Sequence, residues 1–395
     1  MDQHRVSELS AAAAPGQAIT TGLLASFVGF GSSFAVVVQG LVGVGADPAQ
    51  SASGLLVLSV GMGLLGILLS LRYRMPISVA WSTPGAALLA STGAPEGGFA
   101  AAVGAFLVVG ALIVLAGLWK PLGRLVASIP SSIANAMLAG VLFHLCVAPF
   151  LAIAEIPALA LPVVLLWAVV ARFWRLYAVP AAVLLAVALM FWQGAGPSPP
   201  VGQLWPQLTL VPPVFSWSAM VSIALPLFLV TMASQNIPGF AVLQANGFQP
   251  PSRPLIVTTG VGTILAAPFG GHAINLAAIT AALCAGPDAH PDPGRRYIAA
   301  VATGVGYILF GMIAVAATAW ISASPPLLIE AVAGLALLGA FGSALGNALT
   351  SPGERDAALV TLIATASGMS FAGIGSAFWG LLAGGIMLAL RRLKP

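Results

Sequence analysis

Four short polar groups interrupt an otherwise apolar chain, and their residue types suit the binding of an anion without a fixed cation. They are Ser32 and Ser33; Trp81, Ser82 and Thr83; Ser234, Gln235 and Asn236; and Gly271, His272 and Asn275. Asn and Gln in a membrane interior are costly unless paired, so the set suggests a lined pocket, although each side chain alone would equally serve to bridge helices. Ser82-Thr83-Pro84-Gly85 reads as a helix start, with a hydroxyl cap and Pro in the first turn. Such a start presents N–H groups and the positive end of the helix dipole to an anion. His272 is the only ionisable side chain in either of the two segments that break mid-span, and imidazole can take up a proton near neutral pH. It is therefore the candidate for proton coupling; a neutral His donating one hydrogen bond is the alternative. Glu330, near the outer end of an apolar segment, is a second proton or gate candidate, or simply an interfacial carboxylate.

Other motifs carry no chemistry. Gly61-Met62-Gly63-Leu64-Leu65-Gly66 fits a dinucleotide pattern but lies inside an apolar run, so close helix packing explains it better. Gly380 and Gly384 have the same reading. No carboxylate pair, phosphate loop or metal-spaced His/Cys set occurs, so no cofactor and no metal are expected. An intramembrane hydrolase using His272 would lack both an orienting acid and a nucleophile motif. Cys146 and Cys284 read as buried thiols and His144 as a structural residue.

The elements that must position these residues follow from charge. The 395-residue chain is 59% hydrophobic and 6% charged, against about 25% charged in a soluble domain. Its net charge of +4 comes from scattered loop residues, with no stripe for nucleic acid. The 14 Lys and Arg fall at both ends and in every second gap between apolar segments. Basic loops stay cytoplasmic, so the pattern predicts fourteen crossings with N- and C-termini inside. No cleaved signal is evident in Met1 to Ala14. Spans are expected near 17–44, 51–71, 77–93, 98–119, 127–150, 156–173, 177–193, 215–246, 253–267, 268–286, 295–320, 325–347, 354–371 and 374–391. The fold class is an all-α polytopic membrane protein. The Pro/Gly-rich loop from Gly194 to Pro213 divides it into two sets of seven, and an odd number inverts the second set relative to the first. Phe34-Ala-Val-Val-Val-Gln39 and Phe240-Ala-Val-Leu-Gln244 echo each other at an offset of about 205, each followed by Gly and then Pro.

Spans three and ten are unusual. Ile77 to Trp81 is extended in character before the helix start at Ser82. Pro268 to His272 disfavours a helix, and Asn275 to Cys284 favours one. Each is expected as a short extended piece plus a half-helix. In inverted repeats, their N-termini would converge at the membrane centre. Irregular backbone at that depth is tolerated only when buried or lining a cavity.

Met75-Pro-Ile-Ser-Val-Ala-Trp-Ser-Thr-Pro-Gly85, Ala267-Pro-Phe-Gly-Gly-His-Ala-Ile-Asn-Leu-Ala-Ala-Ile-Thr280 and Ser234 to Phe240 resemble the benzoate/proton symporter family of bacterial inner-membrane permeases. The organisation is more distantly similar to the uracil and xanthine permeases. That likeness implies a core domain (17–119 and 214–320) and a gate domain (120–213 and 321–395), with 1–16 as a cytoplasmic tail. The nucleobase-binding glutamates of those permeases are replaced here by His272 and by Ser234 or Gln235, which favours an anion over uracil. The resemblance implies uptake of an aromatic carboxylate, benzoate, with a proton, by the core rocking against the gate in a multi-pass inner-membrane protein. Trp81 and Phe30 or Phe269 would stack on the ring. The expected partners are benzoate, a proton and membrane lipid, with a homodimer allowed. An inorganic-anion, dicarboxylate or nucleobase permease on the same scaffold is the alternative.

Overall fold

The computed structural model describes residues 15–119, 121, 130–192 and 207–392. Arg5, Lys120, Arg124 and Lys394, the first three positions of the expected fifth span, and residues 194–206 of the outer loop lie outside these residues. The described helices are α1 (Pro15–Gly31), α2 (Phe34–Gly43), α3 (Pro48–Tyr73), α4 (Thr83–Thr92), α5 (Gly98–Leu118), α6 (Ser131–Glu155), α7 (Pro157–Phe173) and α8 (Ala178–Trp192). They continue as α9 (Trp217–Ala245), α10 (Ser252–Ala266), α11 (Ile279–Ala285), α12 (Tyr297–Gly311), α13 (Ala314–Ala323), α14 (Pro326–Ala348), α15 (Arg355–Ala366) and α16 (Ser376–Arg392). Two strands, β1 (Val79–Trp81) and β2 (Ile274–Leu276), precede α4 and α11.

Among the described residues, seven helices are long and apolar enough to cross a membrane, with an eighth if α12 and α13, bent by 56°, form one span. The chain is thus a mostly helical, polytopic membrane protein. Its helix starts follow local chemistry. Asp47 and Gln50 close a reciprocal capping box ahead of α3, with Pro48 in the first turn.

The broken segments pair with each other. β1 and β2 run antiparallel, with Val79 opposite Leu276, Ala80 opposite Asn275 and Trp81 opposite Ile274. Ser82 N donating to Ala273 O and Ala277 N donating to Ser78 O extend the ladder at its two ends. Because the strands are antiparallel, α4 and α11 leave from opposite ends of this ribbon. At about 1.5 Å per residue, neither the 10-residue α4 nor the 7-residue α11 could cross a hydrocarbon core of about 30 Å. The ribbon satisfies the backbone polar groups that a continuous helix would otherwise satisfy.

One expectation needs correction, and two local features emerge only in the structure. Asn275 is a strand residue rather than the start of a helix; α11 begins at Ile279, because pairing with β1 holds Ile274–Leu276 extended. In the eighth span the helix does not unwind at Pro238-Gly239. α9 carries wider, π-type turns over Met220–Ala224 and Met232–Asn236, and it continues through the Pro. Pro238 lacks an N–H and crowds the carbonyl four residues back, a strain that a π-turn absorbs. The first span, Gly16–Gly43, runs as one helix with a local turn at Ser32 and Ser33, between α1 and α2.

Helices from the first part of the chain pack along helices from the second. α3 packs along α12 and α5 along α10, while α6 packs along α14. At the first contact a Cβ on Gly63 would lie 2.5 Å from Gly304 O, and one on Gly304 would lie 2.6 Å from Gly63 O. At the second, Cβ atoms on Gly110 and Gly260 would each lie 3.0 Å from the other's carbonyl oxygen. Gly45 and Gly247, after the two matching Phe-Ala-Val stretches, both turn the chain with positive φ, 96° and 85°. Gly380 and Gly384 sit against Thr361 and Thr365 of α15, a packing contact as expected.

Candidate functional site

Trp81, at the end of β1, is held from two sides. Its Nε1 donates to Ser33 Oγ at 2.9 Å, and Ser33 in turn donates to Gly29 O at 2.7 Å. The local turn between α1 and α2 lies where this contact is made. Phe30 lies 5.6 Å and Tyr307 6.5 Å from the Trp81 ring, centroid to centroid. Ser82 then caps α4. Its Oγ accepts from Gly85 N at 3.1 Å and from Thr231 Oγ1 of α9 at 2.9 Å.

From the other half, Asn236 Oδ1 accepts from Leu276 N at 3.0 Å, tying the π-turn of α9 to β2. Asn275 Nδ2 donates to Leu276 O, and its buried Oδ1 has no protein partner. His272 Nε2 lies 3.0 Å from Ser82 O. A carbonyl can only accept, so the ring carries its hydrogen on Nε2, leaving the buried Nδ1 unpartnered. The Phe106 ring meets His272 edge-on, at 6.3 Å.

These supports surround a cavity of about 100 Å³, the same order as an engineered cavity of about 150 Å³ that admits benzene. Thr83 and Pro84 at the start of α4, and Ala278, Ile279 and Thr280 at the start of α11, both line it. Helix first turns carry N–H groups with no intrahelical acceptor. Ser32, Ser33, Gln235 and Tyr307 add side-chain polar groups. Met62, Ala80, Trp81, Ala336, Leu337 and Ala340 supply apolar wall, the last three from α14. No charged side chain lines it among the described residues. Donors without a fixed cation, beside an apolar slot, suit a planar organic anion.

Of the residues nominated from sequence, Ser32, Trp81, Thr83 and Gln235 reach this cavity. Ser82, Asn236 and Asn275 stand behind it in the ribbon's hydrogen bonds, and Gly271 packs on Ala266. Ser234 turns back to Val230 O. His272 lies behind the ribbon, outside the cavity lining, and Glu330 sits half-buried on α14, about 10 Å along the axis from Leu337. Neither Phe30 nor Phe269 lines the cavity; Phe30 contacts Trp81, and the Phe269 carbonyl accepts from Ser53. His144 lies 2.7 Å from Ala366 O, consistent with a structural role. Sequence reasoning missed Tyr307, Thr280 and the α14 wall. A signal existed for Tyr307, since the other tyrosines, Tyr73, Tyr177 and Tyr297, fall at or beyond expected span ends.

Comparison with known proteins agrees with this architecture. Residues 12–390 match the family described as BenE, benzoate membrane transport protein. The chain is 41% identical to the inner membrane protein YdcO of Escherichia coli (strain K12), covering 96% of this chain and 97% of that one. It is 35% identical to the benzoate membrane transport protein of Acinetobacter baylyi, covering 96% and 95%. In fold it is similar to the transmembrane domain of a cyanobacterial bicarbonate transporter, BicA, with a TM-score of 0.57, 13% identity and coverage of 93% and 97%. It is also similar to SLC26A9, with a TM-score of 0.64, 13% identity and coverage of 95% of this chain and 66% of that one. A multi-pass inner-membrane transport protein rather than an enzyme, the chain belongs to the BenE family of benzoate membrane transport proteins.

Proposed function

We propose that this protein imports benzoate together with a proton by alternating access. The carrying observation is the uncharged cavity bounded by the starts of both half-helices and by α14. The carboxylate would sit at the helix starts, with Thr83, Gln235 and Ser32 orienting it and Trp81 against the ring. Ser82, Asn236, Asn275 and Gly271 would hold the ribbon in shape, with Ser234 bracing the π-turn.

Proton coupling has an electrostatic rationale. Carrying one charge across the membrane involves about 2.3 kcal/mol per 100 mV, and an interior-negative potential opposes anion entry. A co-transported proton cancels that term. His272, with its uncommitted Nδ1, and Glu330, half-buried on the helix that walls the cavity, are the two proposed carriers.

The proposed architecture is fourteen spans in two inverted sets of seven, both termini cytoplasmic. The pairing of α3 with α12 and α5 with α10, each through a glycine contact, supports it. The offsets between equivalent glycines, 63 to 260 and 110 to 304, are about 197 and 194 residues, near half the chain. The core (17–119 and 214–320) would rock against the gate (120–213 and 321–395), and α14 is the gate wall of the cavity.

The second reading is an inorganic anion such as bicarbonate, motivated by the likeness in fold to BicA. The apolar wall of Met62, Ala336, Leu337 and Ala340 favours the aromatic acid. The test is uptake of labelled benzoate into proteoliposomes. Accumulation that rises with an inward proton gradient and is competed by unlabelled benzoate supports symport. Competition by bicarbonate instead would replace the substrate; indifference to the gradient would remove the coupling.

A further inference from the structure

The Tyr307 hydroxyl and the Thr280 side chain converge over Gly29. A Cβ built there would lie 2.2 Å from Tyr307 Oη and 3.0 Å from Thr280 Cγ2. Thr280 therefore turns its methyl toward α1, while its Oγ1 is buried and has no hydrogen-bond partner. The Tyr307 hydroxyl lies beside that oxygen. Both residues line the cavity, and Tyr307 is 2% exposed. A buried hydroxyl without a partner is costly in a membrane interior, so a site that retains one is completed by something absent from the chain itself. Two neighbouring hydroxyls are committed elsewhere: Ser33 serves Trp81 and Gly29, and Ser82 serves Gly85 and Thr231.

We propose that Tyr307 and Thr280 form a two-hydroxyl clamp on the substrate carboxylate, each donating one O–H to it. This rests on the reading of the cavity as a carboxylate site. Gly29 leaves the room in which the two side chains meet. Neutral donors of this kind hold an anion while leaving no buried charge when the site empties.

The test measures dissociation constants in purified protein for benzoate and for cyclohexanecarboxylate, which keeps the carboxylate but lacks the aromatic ring. A hydrogen bond to a charged group predicts that Tyr307→Phe and Thr280→Val each weaken both ligands about tenfold or more, by the same factor. Thr280→Ser, which keeps the hydroxyl, should bind as the unaltered protein does, and so should Ser343→Ala on the exposed face of α14. Folded Tyr307→Phe and Thr280→Val variants with unchanged affinity would overturn the clamp and leave the substrate reading standing. Weakening confined to benzoate would mean that the two residues pack on the ring, which also overturns it. If Thr280→Val does not fold, Tyr307→Phe and Thr280→Ser still decide the matter. Failure of the unaltered protein to bind either carboxylate would overturn the substrate reading and the clamp together.

Discussion

The indole Nε1 of Trp81 donates to the hydroxyl of Ser33 across 2.9 Å, joining the strand of one broken segment to the turn between α1 and α2. Ser33→Ala leaves a buried N–H unpaired, at a cost of about 1–3 kcal/mol. Its expected outcome is a lower melting temperature and weaker benzoate binding, measured by thermal unfolding and calorimetry. Trp81→Phe removes the donor as well and should be milder in stability while still losing affinity.

Ser82 and Thr231 form a second link, between the cap of α4 and α9. Ser82→Ala should cost about 1 kcal/mol for the cap alone. Ser82→Ala and Thr231→Val combined should destabilise less than the sum of the single changes, because they share one hydrogen bond. Strict additivity in a thermal double-mutant cycle would show the link to be idle.

The α14 wall sets the length of the apolar slot. Ala340→Phe should fill it, abolishing benzoate uptake while leaving the melting temperature near that of the unaltered protein. Retained uptake would place the ring elsewhere.

The two proposed proton carriers separate by transport mode. Substituting the true carrier, by His272→Gln or Glu330→Gln, should remove accumulation driven by a proton gradient but preserve benzoate exchange at equal pH. Unaltered gradient dependence in both variants would exclude both.

Much of this arrangement was legible in the residues. Val79-Ala80-Trp81 ahead of Ser82-Thr83-Pro84 announced the first strand and half-helix, because β-prone residues and a cap pointed the same way. The second strand was not legible, since Ile274-Asn275-Leu276 runs straight into an alanine-rich stretch that propensity reads as helix. Its pairing with β1, across nearly two hundred residues, together with the Asn236 and Thr263 side chains, holds it extended. His272 drew notice as a lone ionisable group, but which side of a ribbon a residue faces depends on that pairing. The π-turn at Met232–Asn236 was likewise hidden, because Pro238 marks a strain without saying where the helix will absorb it.

Glycine contacts offer a check on the inverted architecture. Gly304→Val and Gly260→Val should each destabilise by about 1–3 kcal/mol through overpacking. Gly385→Ala, with open space around it, should have little effect. Comparable melting-temperature losses at the two contacts are expected.

The most direct measurement is an experimental structure of the protein with benzoate bound. The account predicts the carboxylate at the starts of α4 and α11, with the ring against Trp81 and the α14 alanines. Benzoate bound outside this cavity, or seated with its carboxylate against α14 and its ring at the helix starts, would contradict it.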